Sequence, residues 1–292
     1  MGNLKCLHRL NGRYREEIRA LEEKCNAFDQ SERTVYLSAN GNTLTNLRCF
    51  YLYYEDGLKG FLSLTNIDES DIELNAYVDP ESRRKGIFKK LIQAAFKECK
   101  KEGVTEVLIF QKPYDENSIN AIKSVGANYL YSEYQMELSL EDEMSTLKKQ
   151  TKAITLLEIK QEQKEFYVSQ MMPLFQMTEE EVAERFEDAL LEPRLKTFIA
   201  YDNEVTVGFF SLFYGSTAVT LFDVGVCKEY QGQGYGNALL TSVYYEARKQ
   251  RAVGIQRIIL HVGSYNEIAT KLYKNHGFCV KDQLDCYKLE VQ

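Results

Sequence analysis

The 292-residue sequence contains no apolar run approaching the 18 or more residues of a membrane-spanning helix. Its first ten residues, MGNLKCLHRL, lack the apolar core of a secretory leader. They also lack the Ser or Thr that an N-myristoylation signal needs, with Cys6 in that place. Seven cysteines are present, an odd number with no CxxC pair, which excludes a disulfide framework and a cysteine-based zinc site. Three histidines (His8, His261 and His276) are too few and too scattered for a histidine-rich metal centre, so no metal is expected. Net positive charge is absent as well. The formal charge is −7, which disfavours nucleic acid as a partner and suits a cationic small molecule or peptide. The expectation is a cytoplasmic protein with reduced thiols, no membrane attachment and room for a homodimer.

What the chain does have is a repeat. GFLSL begins at Gly60 and GFFSL at Gly208, 148 residues later. Val78, Arg83, Gly86 and Leu91 are matched at the same offset by Val226, Gln231, Gly234 and Leu239. Two blocks in one register point to a duplicated domain rather than a short-period solenoid. The expected organisation is a first domain over 1–140, a polar linker over 141–151 and a second domain over 152–292.

Each half reads as mixed α/β. In the second, AITLLEIK alternates as a strand, and KEFYVSQMMPLFQ and EEEVAERFEDALL read as helices. Three strands are expected in KTFIAYDNEVTVGFFSLFYGSTAVTLFDVGV, with turns at Asp202-Asn203 and Gly215-Ser216. Leu239, Leu240, Val243 and Ala247 share one helical face. RIILHV, NEIATKLYKNH and DQLDCYKLEV then give strand, helix and closing strand. The first half follows with IELNAYV, helix IFKKLIQAAFKECK, strand EVLIF and a closing YSEYQMELSL. The fold class is therefore α/β, each half a mostly antiparallel meander followed by a strand–helix–strand unit.

The glycines of EYQGQGYGNALL lie between a strand and a helix. Helix-initial amides have no internal partners and lie at the positive end of the helix dipole, so such a turn suits an anion. A dinucleotide fingerprint would need GxGxxG, but Asn237 stands at the third glycine position. A P-loop would need GKS or GKT, which is absent. Gln231, Gly234 and Gly236 instead fit the pattern (Arg/Gln)-x-x-Gly-x-(Gly/Ala), which closely resembles the pyrophosphate motif of the GNAT N-acetyltransferase superfamily. A second block strengthens this resemblance through Asn266, Ala269, Leu272, Tyr273, Gly277 and Phe278.

The resemblance implies acetyl-CoA as acyl donor and a primary amine of a small molecule or peptide as acceptor, with direct attack in a ternary complex. It assigns the pyrophosphate to the amides of Gln231, Gly232, Gln233, Gly234, Tyr235 and Gly236. The pantetheine arm would pair with Val224, Gly225 and Val226, with Asn266 and Tyr273 beside it. Asp223, expected to share a strand face with Leu221 and Gly225, is the candidate base; it can alternatively hold only the substrate cation. Tyr273 is the candidate acid toward the CoA sulfur, or else a core aromatic on the stripe Ala269, Leu272, Tyr273 and His276. His261 is expected at the end of a strand facing the site, where it can titrate usefully or be merely solvated or structural, and Cys227 adjoins the pantetheine strand without a His partner at recognisable spacing. The first half has Phe88 where Gly236 stands, Ile122 for Tyr273 and Asn75 for Asp223, so it reads as a copy without catalysis. The rival reading is a non-catalytic acyl-CoA-binding sensor or scaffold.

Overall fold

A computed structural model of the chain describes residues 2–37, 47–66, 72–141, 152–175 and 177–291. These form two compact units. One comprises Met1–Ser132 with Leu284–Gln292, the other Glu133–Gln283.

The first unit opens with β1 (Asn3–Leu7) and α1 (Gly12–Asp29). Asn11 caps α1 by accepting from the Tyr14 amide at 3.0 Å, and Gln30 ends it in the left-handed region. The meander β2 (Phe50–Tyr54), β3 (Leu58–Asn66) and β4 (Ile72–Val78) follows. Helix α2 (Ile87–Cys99) crosses over to β5 (Glu106–Gln111), and α3 (Glu116–Lys123) comes next. The β4–β5 pair is parallel, as a helical crossover requires, while β1 to β4 pair antiparallel. Leu91, Ile92, Ala95 and Phe96 of α2 are buried on one sheet face. Ile18, Leu21 and Cys25 of α1 cover the other. The sequence reading did not anticipate α1.

In the second unit β7 (Thr155–Glu158) precedes α4 (Lys164–Phe175) and α5 (Glu179–Leu191). Thr178 and Glu181 close α5 with a reciprocal capping box. The meander is β8 (Leu195–Asp202), β9 (Val205–Tyr214) and β10 (Ala218–Val226). Helix α6 (Tyr235–Arg248) crosses to β11 (Arg257–Gly263), which runs parallel to β10, and α7 (Glu267–Asn275) follows. Leu239, Leu240, Val243 and Ala247 are buried as the helical face requires. The opposite face is covered by Tyr167, Met171, Val182 and Phe186 of α4 and α5.

The closing strands differ from expectation. Within β6 (Asn128–Ser139), Glu133–Ser139 pairs antiparallel with β11 in the second unit. Within β12 (Cys279–Glu290), Asp285–Glu290 pairs antiparallel with β5 in the first. Each unit thus holds the strand that follows the other unit's last helix. The two closing segments carry the same alternation and can fill either edge, so pattern alone does not choose between keeping and exchanging them. The linker expected at 141–151 lies, from 142 onward, outside the described residues.

Candidate functional site

Strands β10 and β11 pair only from Ala218–Arg257 to Leu221–Leu260. Beyond that point β10 continues against β9, through Gly225–Phe209 and Val226–Gly208. Meanwhile β11 continues against β6, through His261–Gln135 to Gly263–Glu133. Among the described residues the edges at 224–226 and 261–263 make no ladder with each other. That leaves the main-chain groups of Val224 and the amide of Val226 available to an extended ligand inserted between the strands, while Gly225 pairs with Phe209 of β9.

A bulge in β10 shapes the same place. Phe222 stands opposite Ser211 and Gly225 opposite Phe209, so Asp223 and Val224 together oppose Phe210. Asp223 adopts φ of +52°, a left-handed conformation uncommon for a residue with a side chain. The extra residue inverts the strand's alternation. Val219 and Leu221 face the α6–α7 core before the bulge, and Val224 and Val226 face it afterwards. Asp223 therefore does not share a face with Leu221, contrary to the alternating pattern. It turns instead toward Arg185 of α5, and Gly225 faces α4, its missing Cβ meeting Phe209 at 2.8 Å and Leu174 of α4 at 3.4 Å.

The Asp223 carboxylate is 9% exposed, and its Oδ1 accepts from Arg185 Nη1 at 2.7 Å. Burial raises its pKa above the ordinary aspartate value, while the Arg185 charge and hydrogen bonds from Arg185 and Ser211 pull it back. Arg185 was not foreseen, because a charged position on an amphipathic helix reads as solvated surface. Nor does Asn75 match Asp223 in space. Asn75 pairs with Ser63, and Phe222 pairs with Ser211, the repeat mate of Ser63. Asp223 is the additional residue of a bulge that β4 lacks.

After β10 a short turn leads to the glycine loop. Gln231 donates its side-chain amide to the Val226 carbonyl at 3.0 Å, and Arg83 donates from Nε to the Val78 carbonyl at 3.1 Å. The repeat thus preserves a tether from the loop to the end of the strand. Gly232 has φ of +73°, with open space where its Cβ would stand. Gly234 has φ of +92° and caps α6 with no side-chain hydrogen bond. Among the described residues the amides of Gly232 to Gly236 donate to no backbone carbonyl. That open cradle of donors at a helix N-terminus fits a pyrophosphate.

Other predicted residues have additional tasks. Gln233 donates its side chain to the Glu229 carbonyl, and the buried Tyr235 hydroxyl donates to Asp202 at 2.7 Å. Their side chains are thus engaged within the protein, which leaves their main-chain amides for an anion. Asn266 caps α7, accepting from the Ala269 amide at 3.1 Å. Gly236 lies within α6, and a Cβ there would stand 3.0 Å from Leu272, so close packing of α6 on α7 is one reason for glycine. Tyr273 is buried beside Phe278 in the core that Val224 also contacts. Burial pushes its phenol up to about 12. His261 lies 3.3 Å from Glu133, whose hydrogen bond raises the imidazole pKa against the effect of burial. Burial raises the Cys227 thiol. No metal-binding group of three or more His, Cys, Asp or Glu occurs among the described residues.

The sequence profile of the Acetyltransferase (GNAT) family matches residues 15–127 and again 156–278. The chain belongs to this family, as a tandem GNAT protein. It is 35% identical over 69 residues to the uncharacterized N-acetyltransferase YycN of Bacillus subtilis (strain 168). That match spans 24% of this chain and 42% of the relative. A GCN5-related N-acetyltransferase from Sphaerobacter thermophilus shares the fold, with a TM-score of 0.74 at 15% identity over 100% of this chain and 96% of that one. A tandem GNAT protein from the clavulanic acid biosynthesis pathway, solved without AcCoA, gives 0.66 at 15% identity, over 100% and 99%. No described helix is long and apolar enough to cross a membrane.

Proposed function

We propose that the second unit transfers an acetyl group from acetyl-CoA to a primary amine of a small molecule or peptide, by direct attack in a ternary complex. The observation that carries this reading is the bulge in β10. It turns the buried Asp223 toward α5 and leaves the adjoining strand edge open toward β11.

An alkyl ammonium, with a pKa of about 10.4, carries no lone pair at neutral pH. Asp223, its basicity raised by burial, accepts that proton directly or through water. The freed amine attacks the thioester carbonyl carbon, and a main-chain N–H of the 224–226 segment donates to the developing oxyanion. The C–S bond then breaks. Tyr273, protonated at neutral pH, donates to the departing sulfur. The Gly232–Gly236 amides hold the pyrophosphate, and Val224 and Val226 pair with the pantetheine amides. Arg185 competes with the acceptor ammonium for Asp223, so productive binding requires the amine to share or displace that guanidinium.

The Arg185–Asp223 pair also favours a second reading, a non-catalytic acyl-CoA-binding protein in which the carboxylate is permanently engaged. Release of free CoA from acetyl-CoA across a library of primary amines separates the two. Acceptor-dependent release that is lost in Asp223→Asn supports the enzyme. Tight acetyl-CoA binding without release for any amine supports the binding protein.

A further inference from the structure

The first unit holds a cavity of about 790 Å³, partly open to solvent and within the range of small-molecule sites. Its walls include the apolar Leu74, Ala76, Ile109 and Ile122, and Phe88 lines it while packing on the α2 core. Arg33 is a charged group among the residues that line it. Arg33, on the segment after α1, donates from Nη1 to Gln111 Oε1 at 2.9 Å and from Nη2 to Asn75 Oδ1 at 3.4 Å. The guanidinium carbon lies 5.7 Å from the Tyr77 ring centre, and Gln111 is only 4% exposed.

These neighbours orient the guanidinium without neutralising it. Arg33 forms no ion pair among the described residues. The two acids lining the cavity are otherwise engaged. Asp29 takes both terminal nitrogens of Arg83, at 2.7 and 2.6 Å, and Asp115 caps α3 through the Ser118 amide. Arg84 and Lys89, both exposed, also line the cavity and add positive charge. The guanidinium fork fits a carboxylate or a phosphate in two parallel hydrogen bonds, and the apolar walls around Arg33 favour the less strongly hydrated carboxylate carried on an apolar body.

We propose that the first unit is a binding site for a carboxylate carried on an apolar body, with Arg33 as its recognition group. The site is separate from the proposed acetyl-transfer centre and does not depend on it. The apolar walls take the body of the ligand, and the carboxylate pairs with the free edge of Arg33.

Calorimetric titration of the full chain with octanoate and with octanamide tests this, since the probes share a body and differ in charge. Octanoate is expected to saturate at one molecule per chain and bind at least about tenfold tighter than the amide, a difference of about 1.4 kcal/mol. Arg33→Gln removes the cation. Gln111→Glu keeps Arg33 and places a built-in carboxylate at the position of an atom that already accepts from it. Both variants should lose the preference for octanoate, with thermal midpoints monitored to show folding. If Arg33→Gln fails to fold, Gln111→Glu decides alone. Absence of octanoate binding, equal affinity for the two probes, or an undiminished preference in a folded variant overturns the proposal.

Discussion

Arg185 and Asp223 form an ion pair at 2.7 Å in which the guanidinium is 48% exposed and the carboxylate only 9%. The pair links α5 to the bulge of β10, so a solvent-facing charge acts on an enclosed one. Burial raises the Asp223 pKa and Arg185 opposes that rise. Replacing Arg185 with Met removes the opposition. The acid limb of the kcat/KM profile should then move to higher pH, because the base is protonated over a wider range. A pH–rate profile in which the limb stays in place or moves down contradicts this coupling.

Asp223→Asn keeps the shape and removes the base. For an amine acceptor kcat should fall by about 10²-fold or more, with acetyl-CoA affinity little changed. Activity should partly recover at high pH, where more amine is already neutral. Stability supplies an independent sign. A carboxyl whose folded pKa is raised favours the folded state below its unfolded pKa, and that contribution is lost as pH rises through the folded value. Asn does not titrate, so the variant's thermal midpoint should gain on wild type as pH rises from acid to neutral. A kcat within about twofold of wild type removes Asp223 from the role of base.

The sequence made much of this arrangement visible, for identifiable reasons. The 148-residue offset survives in space as two equivalent tethers, Gln231 to Val226 and Arg83 to Val78. Helical periodicity located the buried face of α6, and glycines at positive φ marked the loop before it. The face of Asp223 was not legible, because a bulge adds one residue and inverts an alternation that otherwise looks regular. Strand exchange was hidden by the likeness of the two closing segments. Asn266 carried a readable capping signal directly before a helix, which the family resemblance overshadowed.

Tyr273→Phe tests whether the hydroxyl acts or the ring only packs. The ring lies 5.7 Å from Phe278 and the residue is buried, so Phe should keep the packing and the thermal midpoint. With the donor gone, kcat should fall about tenfold or more if the departing sulfur needs it. Normal turnover in the folded variant assigns Tyr273 to the core alone.

Asp79 gives the first unit an acid-sensitive point. Burial pushes its pKa up, but hydrogen bonds from Lys24 and Lys59 and from the Glu81 amide outweigh that and hold it at about 2. Since the folded pKa lies below the unfolded one, the stabilisation is complete above about pH 4 and disappears as pH falls through about 2. Asp79→Asn should lower the thermal midpoint at pH 7, and the gap should close as pH approaches 2. A gap independent of pH would assign the effect to lost packing rather than charge.

Gly232 offers a cleaner test of the proposed pyrophosphate cradle than Gly236. Phenylalanine at 236 collides with Leu272 as well as occupying the loop, so lost binding would be confounded with a displaced α7. At Gly232 the Cβ direction is open, and the expected cost is the strain of φ near +73°. Gly232→Val should therefore leave the protein folded, with stability reduced by about 1–2 kcal/mol. Its side chain projects from the loop whose amides are free, where it should keep a phosphate from closing on them. Saturable acetyl-CoA binding and acetyl transfer should be lost together, while octanoate binding to the first unit continues. Retention of wild-type acetyl-CoA affinity in the folded variant would mean that the glycine loop of the second unit is not where the nucleotide end binds.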